Sequence, residues 1–384
     1  MTEPLACFAV TAPGVEAITA GELAGLGLVP DATEAGGVSF RAAPARLYAA
    51  NLELRTASRV LVRLAEFPAR AFYELERKAK RVPWNAIIRP GAAVAFRVTA
   101  RKSKLYHEDG IAERLVAAAG AAPQSLVEDP DDGDIEIPAQ GDQFVQRFVV
   151  RVFRDVVTIS ADSSGELLHR RGYRQAAGKA PLRETLAAAV LLTAGYDGSA
   201  PLVDPFCGSG TIPIEAALLA RRIAPGLRRR FAFEHWPTFE PAVWEATRAA
   251  AAGRILDRAP APIAGSDRDA GAIVAAAANA ARAGVAADVA LTESAISSFQ
   301  APPGPGTIVT NPPYGVRVSE GLDLRDLYAR FGAVLRAQCP GWTATMLSAA
   351  REHEAATGLP FVERWHASNG GVKVRCSVAG IPIR

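Results

Sequence analysis

Val203-Asp204-Pro205-Phe206-Cys207-Gly208-Ser209-Gly210-Thr211 decides how this chain folds. Leu202 to Asp204 closes an apolar strand, the glycine-rich turn follows, and Ile212 to Ala220 reads as a helix. A strand that enters a helix this way opens an α/β sheet, in which ligands sit beyond the carboxyl ends of the strands. Gly208 and Gly210 let backbone come close to a ligand. Asp204 is placed to accept a hydrogen bond from a ligand amine or hydroxyl. Pro205 and Cys207 belong to the same turn, with Cys207 a small packing residue rather than a reactive thiol. A Gly-x-Gly alone is weak, since many tight turns use one. The Gly-Lys-Ser/Thr ending of a triphosphate loop is absent.

Downstream, strands and helices alternate, the pattern of a parallel sheet covered on both faces. Ile263 to Ser266, Ala287 to Leu291, Thr307 to Thr310 and Thr343 to Leu347 read as strands. Ala270 to Arg282 and Leu324 to Leu335 read as helices. The Asn369-Gly370-Gly371 turn predicts a closing hairpin between Phe361 to His366 and Val372 to Val378. Asp267 ends the strand after the glycine turn, where a carboxylate commonly accepts ribose hydroxyls. Asp269 reads as the N-cap of the following helix. About sixty residues separate Asp204 from Asp267, so an insertion lies between them, because a plain dinucleotide fold spaces these about 20 apart. Asn311-Pro312-Pro313-Tyr314-Gly315 then ends a buried strand. Its prolines fix the backbone and remove two donors, leaving carbonyls as acceptors beside the Asn311 side chain. Tyr314 adds a stacking face, so the turn could grip a flat, amino-bearing group; alone, it reads better as a proline-rich strand cap.

The N-terminal part divides into smaller units. Leu5 to Thr11, Val15 to Leu26, Gly37 to Arg41, Pro44 to Asn51 and Arg59 to Phe67 give a β-α-β-α-β order suited to an α+β sandwich. A second unit holds a strand at Val94 to Thr99, a helix at Ile111 to Ala119 and a loop at Asp129 to Gly133. Strands at Asp134 to Ile137, Phe144 to Phe153 and Asp155 to Ser160 complete it. His169 to Arg183 carries five basic residues, Arg170, Arg171, Arg174, Lys179 and Arg183, and no acidic one. It reads as an interdomain linker, either a solvated loop or a strip of phosphate contacts. Arg221-Arg222 and Arg228-Arg229-Arg230 form a second basic segment inside the insertion.

Composition sets the limits. With 384 residues the chain holds two or three domains. Hydrophobic residues at 49% and charged residues at 22% exclude a disordered chain. Lys plus Arg 43 against Asp plus Glu 40 leaves +3, too balanced for a simple basic nucleic-acid tail. No stretch of 18 uncharged apolar residues appears, so no membrane helix is expected. The first twenty residues lack the pattern of a secretory signal, and a cytoplasmic location is expected. The four cysteines, Cys7, Cys207, Cys339 and Cys376, form no Cys-x-x-Cys, so neither a disulfide framework nor a metal site is expected.

Taken in chain order, these blocks resemble the class I S-adenosylmethionine-dependent amino-methyltransferases. More closely, the chain resembles the THUMP-containing RNA guanine-N2 methyltransferases, bacterial 23S rRNA and tRNA enzymes among them. The blocks are His169 to Arg174, Lys179 to Ala188, Asp204 to Thr211, Phe231 to Pro237 and Asn311 to Gly315. Lys102-Ser103-x-Leu105-Tyr106-His107 and Ile159-Ser160-x-Asp162-x-Ser164-Gly165 resemble THUMP landmarks, so the likeness covers nearly the whole chain. It implies a ferredoxin-like α+β unit over 1–68, a THUMP RNA-binding domain over 69–165 and a basic linker over 166–182. A Rossmann-like class I methyltransferase domain with an antiparallel edge hairpin follows over 183–384.

The same resemblance implies S-adenosylmethionine as cofactor and a structured RNA as substrate, with 23S rRNA favoured over tRNA. Asp204, Pro205, Cys207, Gly208 and Gly210 would surround the methionine end, and Asp267 would hold the ribose. Glu293 lies where the family usually has Asp followed by a small residue near the adenine; here the longer Glu is followed by Ser294. Asn311 and the Pro312 carbonyl would accept from the guanine amine, with Asn311 also near the cofactor. The Tyr314 ring, rather than its hydroxyl, would stack on the base. Lys102, Lys104, Arg170, Arg171, Arg174, Arg228 and Arg229 are the expected RNA contacts. A DNA amino-methyltransferase, a nicotinamide dehydrogenase and a non-catalytic RNA-binding protein with a decayed methyltransferase fold are the rivals. The THUMP-like blocks, the incomplete Gly-x-Gly-x-x-Gly and the intact site residues argue against them in turn.

Overall fold

The computed structural model describes residues 3–128, 135–136, 144–174, 182–314 and 324–383. The expected loop at Asp129 to Gly133, Lys179, Ala180 and Pro181 of the linker block, and Gly315 lie outside these.

The N-terminal half builds one sheet. Its elements are β1 (Leu5–Thr11), α1 (Glu16–Gly25), β2 (Pro30–Glu34), β3 (Gly37–Ala42), α2 (Pro44–Glu53) and β4 (Ala57–Pro68). Then come α3 (Phe72–Ala79), β5 (Ala93–Arg101), α4 (Glu108–Ala119), β6 (Ala122–Pro123), β7 (Val127–Glu128), β8 (Ile135–Glu136), β9 (Val145–Phe153) and β10 (Val156–Asp162). The order is β2-β3-β1-β4-β10-β9-β5-β6, with β7 and β8 a separate two-strand ladder. β4 is long enough to serve two neighbours: Ala57 to Val62 pair with β1, and Leu61 to Pro68 pair with β10. The units expected at 1–68 and 69–165 therefore share a continuous sheet. β2 escapes the sequence reading because Pro-Asp-Ala-Thr-Glu has no apolar alternation; it is a largely exposed edge strand.

The C-terminal half holds α5 (Glu184–Thr193), β11 (Leu202–Asp204), α6 (Thr211–Ala220), α7 (Pro241–Ala252), β12 (Ile263–Asp267), α8 (Ala270–Ala283), β13 (Val289–Glu293) and β14 (Thr307–Thr310). It closes with α9 (Arg325–Gln338), β15 (Thr343–Ser348), α10 (Arg351–Ala356), β16 (Val362–Asn369) and β17 (Val372–Gly380). The sheet runs β13-β12-β11-β14-β15-β17-β16, parallel except for the β16–β17 hairpin, which enters antiparallel beside β15. Strand order reverses between β11 and β14, and the carboxyl ends there form the crevice such folds use for ligands. α5 shows no amphipathic period because Leu186 to Leu191 are all buried.

The insertion between α6 and β12 packs on the N-terminal half. Phe231, Phe233, Trp236 and Trp244 join the core that also contains Tyr48, Trp84 and Phe148. The Phe233 ring stacks on Tyr48 at 4.4 Å, and Trp236 Nε1 donates to Gln146 Oε1 at 2.7 Å. The sixty-residue spacing thus reflects a clamp between the two halves. A second contact closes the other side: a Cβ on Gly14 would lie 1.9 Å from the His366 carbonyl oxygen of the hairpin.

Candidate active site

Two neighbouring strand ends make the site. Asp204 closes β11 and is buried. Its Oδ1 accepts from Thr310 Oγ1 at 2.6 Å and from the Phe206 amide at 3.1 Å. Burial raises the carboxyl to about 7; these two donors oppose the rise, and the nearby Asp267 charge adds to it. The bond to Thr310 fixes the glycine turn relative to the Asn-Pro-Pro-Tyr turn, which begins one residue later.

Within the glycine turn, the two glycines differ. Gly208 has φ +51° and a Cβ there would meet nothing within 4 Å, so the turn faces open space at that point. Gly210 has φ +84° and a Cβ there would lie 2.9 Å from Ala276 Cβ on α8. The first leaves room for a ligand against bare backbone; the second lets the helix pack under the turn. Cys207 and Pro205 are buried. Burial pushes the Cys207 thiol up, in keeping with a packing role.

Asp267 stands across the turn from these residues. Its Oδ2 accepts from the Gly208 amide at 3.0 Å and its Oδ1 from the Asp269 amide at 3.0 Å. Asp269 caps α8 through the Gly271 amide at 2.8 Å. Glu293 lies in register with Asp267 on β13 and is exposed. A strand-end carboxylate beside an open glycine turn fits a ligand with ribose hydroxyls, and Glu293 extends the same rim.

Asn311 is half-buried and Pro312 is buried. The Tyr314 hydroxyl donates to Asn311 Oδ1, and the Asn369 side chain from the hairpin lies beside the same hydroxyl. Burial raises the Tyr314 phenol, so it stays protonated and donating. Its ring packs against the core cluster of the second sheet. Tyr328 on α9 donates to the Pro313 carbonyl at 3.0 Å. Thr310, absent from the sequence-derived candidates, thus ties the start of the turn to β11, and Asn369, also absent from them, lies beside its end. The signal for Thr310 was its position before Asn311; Asn369 read only as a hairpin turn residue.

The basic candidates separate by burial. Lys102, Lys104 and Arg228 are exposed, with Arg228 also donating to the Arg282 carbonyl. Arg170 is half-buried. Arg171 does not fit a phosphate contact: its side chain is 3% exposed and 3.6 Å from Glu215, and it donates to the Arg55 carbonyl at 2.6 Å. Arg174 pairs with buried Glu184 at 2.6 Å. Arg229 donates to the carbonyls of Glu166, Leu167 and Arg170, and burial draws it down to about 10. Arg171 and Arg229 bind the halves together, while Arg174 ties its own segment to the start of α5. Among the described residues no cluster of three metal-binding side chains occurs, and no helix is long and apolar enough to cross a membrane.

Known proteins carry the same plan. The profile described as RMKL-like, methyltransferase domain matches residues 171–377, and that of the RlmL ferredoxin-like domain matches residues 6–61. The provisionally named RNA methyltransferase slr0064 of Synechocystis sp. is 34% identical over 95% of this chain and 94% of its own. The ribosomal RNA large subunit methyltransferase K/L of Syntrophotalea carbinolica is 36% identical over 98% of this chain but 53% of its own. This chain spans about half the length of that relative and of the other K/L relatives it matches. The crystal structure of SMU.472, a provisionally named methyltransferase complexed with SAH, superimposes with TM-score 0.86 at 30% identity over the full length of both chains. The profile match covers over half of the chain, on the sheet whose reversed strand order builds the crevice, and the chain belongs to the RMKL-like methyltransferase-domain family, with an RlmL-type ferredoxin-like domain at its N-terminal end.

Proposed function

We propose that this protein transfers a methyl group from S-adenosylmethionine to the exocyclic N2 amine of a guanine in RNA, with 23S rRNA as substrate, in the cytoplasm. The observation that carries this reading is the Asp204–Thr310 bond, which sets the open glycine turn and the Asn311 turn side by side at the strand switch. The names of the K/L relatives point the same way for the substrate.

When bound, S-adenosylmethionine supplies an electrophilic methyl on a sulfonium. The protein's task is then placement of a weak nucleophile in line with that methyl. Asp204, Pro205, Cys207, Gly208 and Gly210 form the wall against the methionine end. Asp267 accepts from the ribose and Glu293 borders the adenine. Asn311 and the Pro312 carbonyl accept from the guanine amine, and their pull strengthens as positive charge grows on nitrogen. The Tyr314 ring borders the base. A guanine amine in a helix is hidden in the minor groove, so the target must be unpaired or flipped out.

The unit at 69–165 acts as a THUMP domain that positions RNA, with exposed Lys102 and Lys104 reaching phosphates, joined by exposed Arg228 of the insertion. The assay is methyl transfer from labelled S-adenosylmethionine to 23S rRNA and to tRNA from a strain lacking the gene, with nucleoside mass spectrometry of the product. N2-methylguanosine in 23S rRNA is the expected result. The same product in tRNA alone would reassign the substrate. Cofactor binding without transfer to either RNA would favour a non-catalytic binder.

A further inference from the structure

Asn279 is fully buried on α8, an alanine-rich helix where an apolar residue would pack at less cost. Its Nδ2 donates to the Ser209 carbonyl at 3.0 Å, between the two glycines of the turn. Its Oδ1 accepts from Arg282, one helical turn further on. Arg282 Nε in turn donates to the Tyr173 carbonyl at 2.7 Å. The chain of contacts continues: Tyr173 donates to Glu215 at 3.1 Å, Glu215 faces Arg171 at 3.6 Å, and Arg171 donates to the Arg55 carbonyl at 2.6 Å. Glu22 ends it by accepting the Arg55 amide at 2.8 Å. Buried and half-buried polar groups thus link the N-terminal half to the middle of the glycine turn.

We propose that Asn279 is a positioning residue for the cofactor turn, and that Arg282 orients it from the interdomain segment at Tyr173. The proposal rests on the methyltransferase reading for the identity of the ligand. The Ser209–Gly210 peptide is held at both edges: the Gly210 amide donates to the Cys207 carbonyl at 2.8 Å within the turn, and Asn279 is the side-chain donor that meets the Ser209 carbonyl from outside it. Ala276, three residues earlier on the same helix face, supports Gly210 from below. Arg282 forbids the flipped amide: with Oδ1 held by a guanidinium, only Nδ2 can face Ser209.

Asn279→Asp separates the two bonds. The carboxylate is isosteric and still accepts from Arg282, but it cannot donate to Ser209 and sets an acceptor against an acceptor. The full chain is titrated with S-adenosylhomocysteine by calorimetry, and hydrogen exchange is followed at the Gly208 and Gly210 amides. We expect a weakening of about tenfold in affinity and exchange faster by about tenfold at both amides, with the α8 interior amides unchanged. Arg282→Met, which keeps the side-chain stem, should shift both readouts in the same direction by about threefold. Wild-type affinity and exchange in Asn279→Asp would overturn the role of Asn279; wild-type values in Arg282→Met would overturn its orientation by Arg282. If Asn279→Asp does not fold, Asn279→Leu, which removes both bonds, takes its place, and wild-type affinity and exchange there would overturn the role of Asn279. A wild-type protein that does not bind S-adenosylhomocysteine would sink the methyltransferase reading, while exchange at the two amides would still decide whether Asn279 fixes the turn.

Discussion

Thr310 Oγ1 donates to Asp204 Oδ1 at 2.6 Å, tying the tip of β14 to the tip of β11 where the strand order reverses. Each strand end carries one half of the site, so this hydroxyl sets the distance between the two halves.

Thr310→Val keeps the shape and removes the donor. Asp204, raised from 3.8 to about 7 by burial, binds its proton more readily folded than unfolded. Its ionisation therefore costs nothing below the unfolded value, and the cost grows until pH passes the folded value. Losing Thr310 raises the folded value further. The variant should lose ~1–3 kcal/mol, with a larger deficit at about pH 8 than at about pH 5. Urea unfolding at both pH values checks this; a deficit independent of pH would place the cost elsewhere than on the carboxylate.

The two glycines should respond oppositely to alanine. At Gly210 the positive φ and the 2.9 Å approach to Ala276 act together, so Gly210→Ala should lower stability by more than the ~1–2 kcal/mol of a left-handed alanine. At Gly208 the added methyl enters open space, so only the conformational term applies. That methyl would stand where a ligand lies against the backbone. Gly208→Ala should fold and yet bind S-adenosylhomocysteine at least ~10-fold more weakly. Melting temperature and calorimetry on both variants separate the effects.

What the sequence made legible follows from where polar residues interrupt short apolar runs. Asp204, Asp267 and Asn311 each end a strand, and strand ends are where the chain shows its ligand-facing residues. The arginines were another matter. Arg171, Arg174 and Arg229 read as RNA contacts because their neighbours in sequence are basic. Their partners are a carboxylate distant in the chain, Glu215, one on the next helix, Glu184, and the backbone carbonyls of Glu166, Leu167 and Arg170. Pairing of that kind leaves no local pattern. α5 stayed unread for the opposite reason, burial on every side, and the insertion announced itself through the long Asp204-to-Asp267 spacing without showing that it clamps the N-terminal half.

Burial also divides the basic residues by function. Arg171→Met leaves Glu215 without its guanidinium in a site that is almost closed to water, a loss on the order of 3–5 kcal/mol. Replacing exposed Lys102 and Lys104 by Gln should leave stability within ~0.5 kcal/mol. It should weaken RNA binding and reduce the salt slope by roughly one for each phosphate that a lysine no longer neutralises. Filter binding across a salt series, beside thermal melts, tests both halves. An unchanged salt slope in the lysine variant would move RNA docking away from the β5–α4 turn.

The Asn311–Tyr314 hydrogen bond changes what a Tyr314→Phe substitution should do. From the sequence, the ring and not the hydroxyl would act on the base, and Phe would be mild. In the structure the hydroxyl donates to Asn311 Oδ1, the acceptor proposed to draw the guanine amine. Phe keeps the ring but releases Asn311, so single-turnover transfer should slow by about tenfold, on the scale of one hydrogen bond removed. Asn311→Ala removes the acceptor itself, and transfer should fall by at least ~10²-fold, as for a preorganised polar group whose hold strengthens in the transition state. Tyr314→Ala removes the ring as well, a stacking loss of roughly 1–3 kcal/mol per base. All three variants should still bind S-adenosylhomocysteine, because Asp204, Asp267 and the glycine turn are untouched. The measurement is the single-turnover rate at saturating cofactor and RNA, beside calorimetric affinity. Transfer at the wild-type rate in Asn311→Ala would reduce the Asn-Pro-Pro-Tyr turn to a strand cap. A Tyr314→Phe rate equal to wild type, with Asn311→Ala slow, would show that Asn311 holds its orientation without the hydroxyl.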